Sequence, residues 1–170
     1  MTAALLAALL ATVGGATIQS AGEGAMSELR PLFDLTLQYR PGMAPVASAE
    51  GHSGRLLGSG DGRAAGPRVR GDVSWSIFEV TGQERCEVEL AGIIQTDDGG
   101  RIEFQARGFG LVADPRQPSR WLMNAAVRFT SAVDGPYGWT NSLLAVWSGS
   151  FDMDTGRHVY GVYAPLASGD

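Results

Sequence analysis

Lysine is missing altogether: every one of the 13 basic residues is Arg, a bias of composition without functional content. A single cysteine, Cys86, excludes an intramolecular disulfide and leaves the redox compartment open. His52 and His158 are the only histidines. Neither has a His, Cys or carboxylate at ligand spacing, apart from Asp154 in the turn before His158. Zinc wants three or four such ligands, so no metal is expected. A net charge of -5 leaves no basic stripe, which makes nucleic acid and anionic membrane poor partners. Neither G-x-G-x-x-G nor G-x-x-x-x-G-K-[ST] is present, so Gly58 to Gly62 reads as a flexible turn and no cofactor is expected. His52-Ser53-Gly54 is no hydrolase elbow, because Arg55 stands where that pattern needs Gly.

What is present suits one domain. The chain has 170 residues, 44% of them hydrophobic, enough for an ordinary core. Residues 1–25 differ from 26–170. Ala3 to Val13 is an apolar run followed by Gly14-Gly15-Ala16, the outline of a signal peptide, but no Arg or Lys precedes it. Met26 opens MSELRPLF and offers an alternative start, which would make the protein cytoplasmic where the longer form would be exported. The run is short for a span of ~20 residues, so no membrane span is expected.

Glu87 to Leu111 reads as a hairpin. Val88, Leu90, Gly92, Ile94 and Thr96 alternate with polar neighbours, and Ile102, Phe104, Ala106 and Gly108 do the same after the turn. A three-residue loop, Asp98-Gly99-Gly100, would pair Ile94 with Phe104 and Thr96 with Ile102, with Glu89 and Arg107 as diagonal neighbours. A slip by one residue would turn every side chain over.

Further strands are expected at Leu32 to Tyr39, Gly54 to Gly58, Gly66 to Val73, Ser76 to Val80 and Ala126 to Ala132. Asn141 to Phe151 and His158 to Tyr163 form a last hairpin, and a turn is expected near Trp121 to Ala125. The 24 glycines and the lack of an amphipathic helix beyond residue 26 point to an all-β protein. About eight to ten strands suit a single closed antiparallel barrel, which leaves no exposed sheet edge.

Polar groups on alternate strand positions are the site candidates. Glu103 and Arg107, with Asp72 near Arg68, would form an acid-base or anion-orienting pair if they faced the lumen, and an ordinary solvated surface if they faced out. Tyr137, Trp139 and Trp147 would be lumen walls or core, and Asn141 a lumen polar group.

Three segments carry a family resemblance. Gly66-Pro67-Arg68-Val69-Arg70-Gly71 resembles a GPxLxG segment, Thr96-Asp97-Asp98-Gly99 a TxDG hairpin, and Tyr137-Gly138-Trp139-Thr140-Asn141 a YxWLN motif of the DUF3237, or UPF0311, family. Order and spacing agree over Leu32 to Tyr163. Two departures stand out: Asp72-Val73-Ser74-Trp75 is shorter than the family's Gly-Gly-x-Asp-Trp run, and Thr140 replaces a Leu. The resemblance implies a calycin-like (lipocalin-like) antiparallel β-barrel, often in homo-oligomers, with no settled reaction.

Two functions follow as expectations. In one, the lumen binds a small apolar or aromatic organic molecule, with cofactor-independent lyase, isomerase or cyclase chemistry from Arg107, Glu103 and Asp72, and ligand contacts from Arg68, Tyr137, Trp139, Asn141 and Trp147. In the other, the lumen is packed shut and the barrel is a structural or oligomerisation module.

Overall fold

The structure, a computed structural model, describes residues 29–43, 54–81 and 85–165. The strands are β1 (Leu29–Tyr39), β2 (Gly54–Ala65), β3 (Arg70–Thr81), β4 (Arg85–Thr96), β5 (Arg101–Val112), β6 (Arg120–Ser131), β7 (Leu144–Asp152) and β8 (Arg157–Pro165). Each pairs antiparallel with its chain neighbours, and β8 returns to β1, closing the barrel. The all-β closed barrel of eight strands is therefore the observed fold. Among the described residues no helix is long and apolar enough to cross a membrane.

Period-two alternation builds the interior. On β6, Trp121, Met123, Ala125, Val127 and Phe129 are buried, while Leu122, Asn124, Ala126, Arg128 and Thr130 face out. The same alternation holds on β4 and β5, where Val88, Leu90, Ile94, Ile102, Phe104 and Ala106 are buried. The faces of that hairpin are as the sequence predicts, but the register differs by two residues. Ile94 pairs with Ile102 and Glu89 lies directly opposite Arg107. The three-residue loop is Asp97-Asp98-Gly99, because Gly99 takes the left-handed conformation at φ 86° and Thr96 bonds Gly100 across the turn. A shift of two keeps each side chain on its side.

The stretch Gly58 to Gly62 is not a turn but the middle of β2. Gly58, Gly60 and Gly62 recur with the period of a strand, and a Cβ at each would run into side chains from the neighbouring strands: Tyr39 and Ile77, Trp75, and Leu37 in turn. These glycines make room for large rings. Gly60→Ala would drive a methyl into the Gln38 carbonyl and the Trp75 indole. We expect a loss of about 1–3 kcal/mol, read as a lower urea midpoint at unchanged slope.

Three other boundaries move. Trp121 to Ala125 is strand, since its alternation continues β6 without a break. β3 begins at Arg70, after Gly66 to Val69, and runs unbroken through Ser76 to Val80. β7 begins at Leu144, because Gly138–Ser142 forms a short 3-10 turn held by Thr140 N–H to Tyr137 O and Leu143 N–H to Thr140 O.

Candidate functional site

On the outer wall, β2 to β7 carry short side chains between taller ones. In one cross-strand row Ser59, Ser76, Ala91, Gln105, Arg128 and Leu144 are successive partners, and in the next Ser74, Ile93, Glu103 and Thr130 are. Strands lie about 4.8 Å apart, so the longer row runs roughly 24 Å along the sheet. Serine and alanine keep its floor low on β2, β3 and β4. Arg40, Arg101, Arg128, Leu143 and Leu144 rise around it, giving an open groove of about 1010 Å³. Arg40 is held by Asp61, and Arg101 donates to Glu103 at 2.9 Å. Arg128 is exposed and has neither a hydrogen bond nor an ion pair among the described residues. The groove therefore offers one uncommitted guanidinium, two paired ones, a single carboxylate, hydroxyls and an apolar flank.

The sequence-derived candidates divide among four places. Glu103 and Asn141 line the groove. Arg107 and Asp72 face solvent outside it, with Arg107 bonded to Glu89 at 2.9 Å and Asp72 to Arg63 at 3.0 Å. None of Glu103, Arg107 and Asp72 enters the lumen, because each sits on the exposed face of a strand whose other face is apolar. Trp147 is inside, 3% exposed, stacked on Tyr160 with centroids 4.6 Å apart.

Arg68, Tyr137 and Trp139 meet at one mouth of the barrel, where the three motif segments interlock. The Arg68 guanidinium lies 3.9 Å from the Trp139 ring centre. Tyr137 donates its hydroxyl to Asp98 at 3.0 Å, and Thr96 donates to the same carboxylate at 2.6 Å. These two bonds, Thr96 first, hold the Asp98 carboxyl below its usual range. Asp97 N–H reaches Arg70 O, and Asn141 both accepts from Ser131 N–H and donates to Ser131 O. This arrangement ties the three motif segments together, while Arg68 Nη1 is buried there without a hydrogen-bond partner.

The lumen itself is filled by rings. Phe104 packs against Trp147, Tyr39 against Trp75, and Phe33 against Phe129. Apart from Thr96 at the motif end, its polar side chains gather towards the opposite mouth: Tyr39, Glu79, Cys86, Trp121, His158 and Tyr160. His158 Nδ1 lies 2.7 Å from the Tyr160 hydroxyl. Burial lowers the His158 pKa to about 3 and, with Glu79 nearby, raises the Cys86 thiol to about 12. Sequence reasoning passed over this cluster, although His158 and Tyr160, two apart on one strand, were bound to share a face. Among the described residues no three His, Cys, Asp or Glu side chains come close enough for a metal ion. His52 lies outside the described residues.

Comparison with known proteins agrees with this architecture. Solved structures with the same fold include a protein of unknown function from Clostridium acetobutylicum (18% identity, TM-score 0.65, covering 81% of this chain and 97% of that one). Another is a β-barrel-like protein from Acinetobacter baumannii (16%, 0.67, 81% and 94%). A third is an enzyme from Penicillium herquei (20%, 0.56, 80% and 93%). At these identities the likeness is one of fold. No protein of curated function matches the chain. The pattern of the family described as a protein of unknown function, DUF3237, matches residues 27–164, nearly the whole barrel, and the chain belongs to that family.

Proposed function

We propose that the protein binds a small organic molecule in the outer groove, an anion with an apolar or aromatic body. The observation that carries this reading is Arg128, an uncommitted guanidinium beside Leu144 in a groove of about 1010 Å³. A guanidinium fits a carboxylate or sulfonate through paired N–H groups, while Leu143, Leu144 and Ile93 take the body of the ligand. The ring-filled interior favours a packed lumen and so moves the ligand outside. If the groove also catalyses, Glu103 is its one carboxylate and the group able to move a proton, with Arg101 bonded to it at 2.9 Å until a substrate displaces that contact. The Penicillium herquei neighbour is described as an enzyme, which is compatible with this second step.

The test uses 1-anilinonaphthalene-8-sulfonate, an anion with an aromatic body whose fluorescence rises on binding. Arg128→Ala is expected to weaken binding about tenfold, the scale of one charge-assisted hydrogen bond. Arg107→Ala, outside the groove, is expected to leave it unchanged. Equal loss in both variants, or none in Arg128→Ala, removes the groove as the site.

A further inference from the structure

The polar end of the lumen contains more hydrogen-bonding capacity than it uses. Tyr39 Oη, Trp121 Nε1 and His158 Nε2 are each buried without a hydrogen-bond partner, on side chains that are 6%, 6% and 0% exposed. An unmet polar atom in the interior costs about 1–3 kcal/mol, so three in one cluster weigh heavily against a purely structural role. They come from three different strands, β1, β6 and β8, and Phe151 on β7 neighbours all three residues. Phe151 pairs with Trp121 on one side and His158 on the other. Its ring stacks on His158 at 4.1 Å and meets Tyr39 edge-on at 5.9 Å. At 9% exposure Phe151 is the most exposed of the buried aromatic rings.

We propose that this end of the lumen is a second, internal site for a small neutral hydroxylated ring, which takes the space of the Phe151 ring and bonds Tyr39, Trp121 and His158. The assignment of ligand class follows from the lining. A benzene-sized ring matches the volume that Phe151 would vacate if its side chain turned outward. A hydroxyl both donates and accepts, so it can meet the Trp121 N–H and either ring nitrogen state of His158. A neutral ligand is favoured because Tyr39, Trp121 and His158 are rings that would not replace the hydration of a charge, and Glu79, the carboxylate at this end, already has a partner and would repel an anion. The site is separate from the outer groove, which lies on the other side of the sheet.

Phenol and benzene form the discriminating pair, since they differ only in the hydroxyl. In calorimetric titrations of the full chain, phenol is expected to bind saturably and at least about tenfold more tightly than benzene. The Trp121 indole N–H resonance should move during the phenol titration. Tyr39→Phe removes one unmet atom and keeps the ring, Trp121→Phe removes another and leaves a smaller aromatic ring, and each is expected to narrow the phenol preference severalfold. Two variants are used so that one that fails to fold leaves the other. Benzene binding as tightly as phenol would show an ordinary packing defect and overturn the proposal. So would a phenol affinity unchanged in the folded variants, or no saturable binding at all.

Discussion

Lowering the pH from 7.5 to 4.5 is expected to cost the fold about 2–3 kcal/mol through His158 alone. The imidazole is fully buried and its pKa falls from 6.5 to about 3, with burial as the cause. In the unfolded chain it takes a proton as the pH drops through 6.5, whereas the native state refuses it until about 3. The unfolded state therefore binds more protons across that window, and stability rises with pH there. Asp61 and Asp98, whose carboxyls are held low by partners, lose their contribution only below their ordinary value of 3.8. They leave the interval above 4.5 to histidine. At the other limb Cys86, with its thiol near 12, favours the native state up to its ordinary value of 9.0 and loses that advantage as the pH rises further. Denaturant titrations at several pH values should show the acid flank, and His158→Gln should flatten it. Gln at this position also gives up the stacking on Phe151, so the slope, not the absolute stability, is the quantity to compare. A slope that persists in His158→Gln would mean that His158 carries its proton inside the barrel or that another group titrates.

Trp147→Ala is expected to cost about 3–5 kcal/mol, the scale of deleting a large ring from a packed interior. Trp147 touches both halves of the lumen. It stacks on Tyr160 with the planes only 9° apart and tilts against Phe104 with centroids 5.9 Å apart. Tyr160 in turn bonds His158, so the indole also braces the polar cluster. The measurement is the urea midpoint, with an unchanged slope showing that the same surface is exposed on unfolding. Trp147→Phe should recover much of the loss, because it keeps a ring against Tyr160. A loss below 1 kcal/mol would mean that the lumen around Trp147 is looser than these contacts describe.

The sequence was most legible where one rule acts locally. The two faces of β4 and β5 follow from alternation, which needs only neighbouring residues. The register of that hairpin was harder, because Gly99 and Gly100 are adjacent and either can take a left-handed turn position. Gly58 to Gly62 misled for a different reason. Three alternate glycines look like a flexible turn, and only the rings of Tyr39 and Trp75, distant in sequence, explain why a strand should lack side chains there. The outer groove was not legible at all. It depends on the relative heights of Ser59, Ser76, Ala91 and Arg128 on four strands, and that comparison exists only once every register is known. The inward turn of Trp147 was within reach of periodicity, whereas the outward turn of Glu103 and Arg107 followed once Phe104 and Ala106 were taken as core.

The order of pairing also bears on how quickly this chain can find its shape. Seven of the eight seams join strands consecutive in the chain and can form as hairpins, in any sequence and without long searches. The eighth, between β1 and β8, joins Leu29 to Pro165 and closes a loop of almost the whole barrel. The entropy of such a closure grows only with the logarithm of loop length, but none of it is offset until the last edges meet. The seam carries its own irregularity, a shift of register between Pro31 and Phe33 that buries Leu32 and Phe33 in succession. Docking of that bulge is therefore expected late in folding, and a sheet left open at that seam would present β1 and β8 as free edges to a second chain.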